Sequence, residues 1–201
     1  MEQSVTLRPR FGRVLTVIVG ALIVFALGSL VAAGSAHLLA RSAAPLVFFG
    51  FLVWMTFWAP CIRIDPAHVS FVNVVRTRDF SWPAIQRIDT KYALTLYTAE
   101  GKFTAWSAPA PGRHSATLVS KGDLKGLPES TFGAEGRIAL GDIPTSDAGL
   151  AALHVRRIWE QYRDAGLFVG IDGSGVVTTW HKTTIVILAV LFVATVLSLT
   201  L

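Results

Sequence analysis

The side chains that could do catalysis or bind a metal are spread too thinly along this chain to mark an active site. No two of the five histidines have the i, i+4 spacing by which a helix offers two ligands to one metal ion. They are His37, His68, His114, His154 and His181. The chain also lacks the Gly-x-Ser-x-Gly sequence of a serine hydrolase. The sequence therefore predicts a non-enzymatic protein without a metal or cofactor.

Three other patterns have simple structural interpretations. Asp65, Asp79 and Asp89 each adjoin a turn or a predicted strand end, where aspartate is common. The glycine-rich segment 170–175 lacks the lysine of a phosphate-binding loop, so we interpret it as part of a flexible tether. The single cysteine, Cys61, excludes an intrachain disulfide and a Cys-x-x-Cys metal site.

A group of cations is the strongest candidate for binding chemistry. Arg76 and Arg78 are two residues apart on a predicted strand, so they project from the same face. Arg87, Lys91 and Lys102 lie near the ends of neighbouring predicted strands. Together these cations could hold a lipid phosphate or an acidic segment of a partner. The alternative is an ordinary solvated sheet face whose charges serve topology and solubility.

Three apolar segments predict membrane-spanning helices. Of the 201 residues, 52% are hydrophobic, and the mean hydropathy is +0.54. A bilayer core about 30 Å thick requires roughly 20 helical residues, and the segments 14–34, 43–60 and 183–201 have about this length. None of the three segments contains an ionisable residue, which argues against a transporter or channel.

The distribution of basic residues predicts the orientation of these spans. Only Arg41 lies in the connection 35–42, and the other seventeen of the eighteen lysines and arginines lie elsewhere. Because basic side chains resist translocation, we expect residues 1–13 and the segment between the second and third spans to be cytoplasmic. The C-terminus is then extracytoplasmic. In this setting the net charge of +5 fits attraction to membrane lipids better than binding of nucleic acid.

A small antiparallel β domain is predicted over residues 61–110, between the second and third spans. The clearest signal is a hairpin at 93–106, where Leu94 and Leu96 alternate with polar residues before a turn at 99–101. Several short strands without an intervening helix favour an antiparallel meander over a parallel sheet. We interpret Trp82 as a core side chain, whereas Trp106 fits either a core position or a ligand platform.

Three segments follow this β domain. Residues 111–145 have many glycines and no amphipathic period, which predicts a flexible linker. Residues 146–166 predict an amphipathic helix, capped by Thr145 or Ser146, that either caps the sheet or lies on the bilayer. The apolar face comprises Ala151, Val155, Ile158, Trp159 and Tyr162, and the polar face comprises Arg156, Arg157, Glu160, Arg163 and Asp164. Residues 167–182 predict a tether to the third span.

A motif with one tryptophan and two isoleucines, followed by a leucine-rich strand, lies within residues 62–106. Its positions are Trp82, Ile85, Ile88, Leu94 and Leu96. With the glycine turn at 99–101, this segment resembles a family of bacterial pleckstrin-homology (PH) domains in actinobacterial membrane proteins, the low-molecular-weight protein antigen 6 type. The high arginine content is also typical of a GC-rich bacterial genome.

The resemblance implies a PH-like split barrel held by membrane helices and lacking catalytic residues. PH domains end in a helix that caps one open end of the sheet, and residues 146–166 are the candidate for that helix. The expected function is a membrane-anchored adaptor or scaffold that binds another membrane or envelope protein at the cytoplasmic face. The alternatives are a sensor that responds to anionic lipid and an accessory subunit of a membrane complex.

Overall fold

The computed structural model of the chain describes residues 4–111, 131, 140–143, 146–168 and 175–200. The chain forms two compact units. The β domain comprises Met1–Arg8 and Cys61–Thr179, and the helical unit comprises Pro9–Pro60 and Trp180–Leu201.

The elements follow one another along the chain in this order. The first are β1 (Val5–Leu7), α1 (Arg10–Ala32) and α2 (Ala36–Val53), which continues as a π-helical turn, Trp54–Trp58. The next are β2 (Cys61–Ile64), β3 (His68–Val72), β4 (Arg76–Ser81), β5 (Arg87–Asp89), β6 (Ala93–Thr98) and β7 (Gly101–Pro109). The last are α3 (Asp147–Asp164), β8 (Val176–Trp180) and α4 (Lys182–Thr200). Among the described residues, short 3-10 turns lie at Trp82–Ala84 and Leu140–Asp142.

The helical unit contains three helices that are long and apolar enough to cross a membrane. They are α1, the continuous helix Ala36–Trp58, and α4. Within the unit α2 packs against both α1 and α4. Many large apolar side chains of α1 and α4 remain exposed, among them Phe25 and Phe192. Such an extended apolar surface fits contact with lipid.

The second of these helices begins at Ala36 rather than at the predicted residue 43. Gly34 has a φ of 65°, a left-handed conformation that suits a glycine just after a helix end, so a tight turn replaces the predicted connection 35–42. His37 and Arg41 therefore lie within the helix. The prediction that the spans contain no ionisable residue is therefore wrong for this helix. It starts earlier than predicted because alanine, leucine and arginine all favour a helical conformation.

The β domain is built on two antiparallel sheets. Sheet A has the strand order β1-β2-β3-β4-β8, and sheet B has the order β5-β6-β7. In sheet A, Ile64, Val69 and Phe80 are cross-strand neighbours, and in sheet B, Leu96 lies opposite Ile88 and Phe103. These residues face the core between the two sheets.

Two strands of sheet A come from segments that the sequence predicted to lie outside the β domain. β1 falls in the predicted N-terminal segment 1–13, and β8 falls in the predicted tether 167–182. The backbone N–H of Ser81 donates to the carbonyl of Gly175 at 3.0 Å, so β8 starts beside the end of β4. The two strands pair, and the start of β8 lies beside the end of β4, so β8 runs antiparallel to β4. Of the predicted glycine-rich segment 170–175, only Gly175 is among the described residues.

The motif residues and one face of α3 fill the core. Trp82, Ile85, Ile88, Leu94 and Leu96 are all 8% exposed or less. α3 packs on β2, β5, β6 and β7 and buries Ala148, Ala151, Ala152 and Val155. Ser146 caps this helix by accepting a hydrogen bond from the Gly149 N–H at 2.9 Å. Of the two predicted placements for this helix, the structure therefore has the one against the sheet.

Four described residues of the predicted linker 111–145, namely Thr131, Gly141, Asp142 and Ile143, are buried instead of solvated. Thr131, Asp142 and Ile143 are 4–5% exposed. Arg156, which the sequence placed on the polar face of α3, is 3% exposed because its guanidinium forms an ion pair with Asp142. Asp142 and Arg156 tolerate burial because the carboxylate and the guanidinium neutralise each other inside the domain. Residues 112–130, 132–139 and 144–145 lie outside the described residues.

Candidate functional site

The five predicted cations lie on two separate surfaces rather than in one cluster. Arg76 and Arg78 are on β4 of sheet A. Arg87 is on β5 and Lys102 on β7, both in sheet B, while Lys91 follows β5 in the turn to β6. The two groups are therefore considered separately.

Arg78 lies on the inner face of sheet A. In the strand register it is opposite Phe71, which is in turn opposite Ile62, and both of these apolar residues are fully buried. Because cross-strand neighbours share a face of the sheet, Arg78 projects towards the core side. Its guanidinium carbon is 4.5 Å from the centre of the Phe103 ring of sheet B. This residue is consequently not on an ordinary solvated sheet face.

The surroundings of Arg78 stabilise its charge less than water would. Burial lowers the pKa of Arg78 below its ordinary value, and the positive charge of Arg76 lowers that pKa further. Within the described part of the chain, the Nε of Arg78 is buried without a hydrogen-bond partner. An anion bound beside this guanidinium would offset both effects, because an opposite charge favours the ionised form.

Arg76 and Arg78 lie at the end of sheet A from which the chain runs to all three apolar helices. The end of β1 and the starts of β2 and β4 lie side by side at this end of the sheet. The strand register shows this through the pairs Leu7–Ile62, Cys61–Val72 and Val72–Thr77. Since β8 is antiparallel to β4, it also ends on this side. Only two residues join β1 to α1, two join the π-helical turn to β2, and one joins β8 to α4.

Arg87, Tyr97 and Lys102 form a row across the outer face of sheet B. Tyr97 lies opposite Arg87 on one side and Lys102 on the other. The guanidinium carbon of Arg87 is 3.9 Å from the centre of the Tyr97 ring, which is within cation–π range. Neither cation makes an ion pair within the described residues. This row therefore offers positive charge to a partner.

Trp106 extends this outer face, and Tyr92 is exposed in the turn before β6. Trp106 is 57% exposed and follows Lys102 on the same side of β7. Tyr92 is 80% exposed, and the Lys91 ammonium is 5.3 Å from the centre of its ring. Trp82, by contrast, is 2% exposed, and its indole N–H donates to two backbone carbonyls of the β2–β3 turn. Trp106 is thus at the surface, whereas Trp82 belongs to the core.

Sequence reasoning missed Asn73, which fixes the backbone beside Trp106. The side-chain amide of Asn73 donates to the Thr104 carbonyl at 3.1 Å and accepts from the Trp106 N–H at 2.8 Å. It therefore occupies the edge of β7 as a neighbouring strand would. The sequence signal was an asparagine after a strand, which predicts a turn but not this long-range contact.

Residues 59–140 match the model of a family described as bacterial PH domain. No curated protein and no solved structure matches the chain. The family match starts two residues before β2 and continues beyond β7 to residue 140, so it includes the buried Thr131. Two antiparallel sheets with α3 packed against them agree with this family, whose members are generally binding modules without catalytic activity.

Proposed function

We propose that this chain, with a bacterial PH domain at residues 59–140, is a membrane-anchored, non-enzymatic adaptor that binds a partner protein. The three apolar helices would serve as anchors. The basic residues outside the α1–α2 turn favour a cytoplasmic position for the β domain and an extracytoplasmic C-terminus. The partner would be another membrane or envelope protein, because the anchors confine the domain to the membrane surface.

The outer face of sheet B is the observation that carries this proposal. The few residues that dominate binding energy at protein interfaces are enriched in arginine, tyrosine and tryptophan, and Arg87, Tyr97 and Trp106 lie together on this face. Arg87 and Lys102 have no ion-pair partner among the described residues. An acidic segment of the partner would supply the missing negative charge.

Site-specific photo-crosslinking in intact cells tests this proposal. A photoreactive residue replaces Thr104, which is exposed between Lys102 and Trp106, and a second one replaces the exposed Arg63 of sheet A as a control. We expect a discrete protein adduct from position 104 and none from position 63. Trp106→Ala should weaken that adduct about thirtyfold or more, because a hot-spot residue contributes about 2 kcal/mol or more.

Adducts that are identical from both positions would refute the adaptor proposal, as would an adduct that is unchanged by Trp106→Ala. An adduct that contains subunits of one stable complex would instead favour an accessory subunit. Purification of the chain with that complex in mild detergent would then decide between the two functions.

A second candidate function is a sensor of anionic lipid, and Arg76 and Arg78 favour it. Both guanidinium groups lie on one face of β4, and a guanidinium can donate paired hydrogen bonds to a headgroup phosphate. A headgroup phosphate beside Arg78 would accept the hydrogen bond that its buried Nε lacks among the described residues. Arg87 was expected to join these two arginines, but it lies on the outer face of sheet B.

Hydrogen–deuterium exchange of the full chain in nanodiscs tests the sensor function. In phosphatidylglycerol, the backbone amides of residues 73–78 should exchange more slowly than in phosphatidylcholine. The double variant Arg76→Gln, Arg78→Gln should lose this difference, whereas Arg87→Gln should keep it. Equal exchange of the original chain in the two lipids would exclude the sensor.

A further inference from the structure

A groove of about 560 Å³ opens among the three apolar helices of the helical unit. This volume is within the roughly 300–1,000 Å³ of typical ligand sites. Ala26 and Leu30 of α1, Pro45 and Leu46 of α2, and Leu199 of α4 form its apolar wall. The polar side chains are those of Ser29, Arg41 and Ser42. The groove lining is therefore mostly apolar, and its one cationic side chain is Arg41.

Arg41 lies close to the hairpin end of the unit. It is five residues after Ala36, the first residue of α2. At 1.5 Å per residue this places its Cα about 7.5 Å along the continuous helix Ala36–Trp58, which is about 34 Å long. Ser29 lies near the end of α1, and Leu199 lies near the end of α4. The polar part of the groove is thus near the hairpin end of the unit, where the long Arg41 side chain can extend from just inside the hydrocarbon core to the lipid headgroups.

No side-chain carboxylate of the helical unit can neutralise Arg41. Pro9–Pro60 and Trp180–Leu201 contain neither aspartate nor glutamate. The other lysine and arginines of the unit, Arg10, Arg13 and Lys182, lie at or near the starts of α1 and α4. Among the described residues of the unit, Arg41 is therefore a positive charge without a side-chain counter-ion at the edge of an apolar groove.

We propose that this groove binds one anionic phospholipid, with its phosphate on Arg41 and an acyl chain along the apolar wall. The planar guanidinium can donate two parallel hydrogen bonds to a phosphate, and the Ser42 hydroxyl lies in the same lining. The alanine, leucine and proline side chains complement a hydrocarbon chain. The site belongs to the helical unit alone and does not depend on the function of the PH domain.

Native mass spectrometry of the full chain in neutral detergent tests this lipid site. The protein is mixed with equal amounts of phosphatidylglycerol and phosphatidylcholine that carry the same acyl chains. We expect the first bound lipid to be phosphatidylglycerol by about fivefold, the ratio that corresponds to roughly 1 kcal/mol for one well-placed cation. Arg41→Gln should abolish this preference, Arg41→Lys should retain most of it, and Arg13→Gln should leave it unchanged.

A second variant tests the groove itself. Ala26→Phe fills part of the apolar wall and keeps Arg41, so it should reduce retention of both lipids. Equal binding of the two lipids to the original chain would overturn the proposal. Equal losses of the phosphatidylglycerol preference in Arg41→Gln and Arg13→Gln would also overturn it, because they would show that any cationic side chain attracts this lipid. If Arg41→Gln fails to fold, Ala26→Phe decides, and unchanged retention of both lipids would overturn the proposal.

Discussion

Replacing Asp142 with alanine should loosen the packing of α3 on the sheets, because it leaves the charge of Arg156 buried without a counter-ion. Arg156 is 3% exposed and Asp142 is 4% exposed, and an ion pair joins the two side chains. The guanidinium also donates to the Thr131 hydroxyl at 3.4 Å and to the Ile88 carbonyl at 3.3 Å. Both of these bonds are long, so Asp142 supplies most of the interaction energy that offsets the cost of burying the Arg156 charge.

The loss of folding free energy can be estimated from these contacts. Removing one partner of a buried ion pair destabilises a protein by about 3–5 kcal/mol. The variant also loses the hydrogen bond that the Thr90 hydroxyl donates to Asp142 at 2.6 Å, and such a bond contributes about 1 kcal/mol. Because domains are stable by only about 5–15 kcal/mol, the loss is a large part of the total. Asp142→Asn retains an acceptor and should lose less.

Hydrogen–deuterium exchange of the full chain in detergent micelles measures this loss. A change of about 3–5 kcal/mol corresponds to roughly two to three and a half orders of magnitude in exchange of the most protected amides of α3 and β5. Asp164→Ala is the matched control, because Asp164 pairs with Arg163 at 2.9 Å and both side chains are exposed. Surface pairs of this kind contribute about 1 kcal/mol or less.

A double variant distinguishes the effect of removing the whole ion pair from the effect of leaving the Arg156 charge buried alone. Asp142→Leu combined with Arg156→Met removes both charges, and replacing both partners by apolar groups is often neutral. This variant should therefore exchange more slowly than Asp142→Ala. If Asp142→Ala exchanges no faster than Asp164→Ala, the reasoning about the buried charge is wrong.

Three further substitutions have effects that thermal unfolding or local hydrogen exchange can measure. Gly141→Ala should destabilise the β domain by about 1–3 kcal/mol, because a Cβ there would be 1.8 Å from the carbonyl oxygen of Thr90; an unchanged melting temperature would contradict this. Asn73→Ala should cost about 1–3 kcal/mol through two lost hydrogen bonds, and the Trp106 amide should exchange faster. Ser146→Ala should cost about 1 kcal/mol through the lost N-cap, and equal exchange at the start of α3 would argue against the cap.

Local patterns predicted the parts of the fold that depend on neighbouring residues. The hairpin of β6 and β7 follows from the alternation of Leu94 and Leu96 with polar residues and from a glycine turn. The three apolar helices follow from length and composition. Trp82 and the two isoleucines of its motif could be assigned to the core because their spacing resembled that of a PH domain.

The candidate surfaces were predicted only in part. The five cations were correctly identified as residues on or beside strands, but their sequence positions did not reveal that Arg78 faces the core side and Arg87 faces outward. That difference depends on how two sheets pack against each other. Asp142 and Arg156 were missed as a pair because they are fourteen positions apart and only Arg156 lies on the predicted helix.

By itself, the sequence determined which segments are apolar enough to leave water, which segments alternate as strands, and the excess of basic residues outside the α1–α2 turn. These properties depend on side-chain chemistry and on the fixed periods of helix and strand. The tertiary structure decided which strands pair, since β1 and β8 are short and gain their hydrogen bonds only from distant partners in sheet A. It also decided which charges are buried, because a buried guanidinium is stable only where folding brings a carboxylate to it.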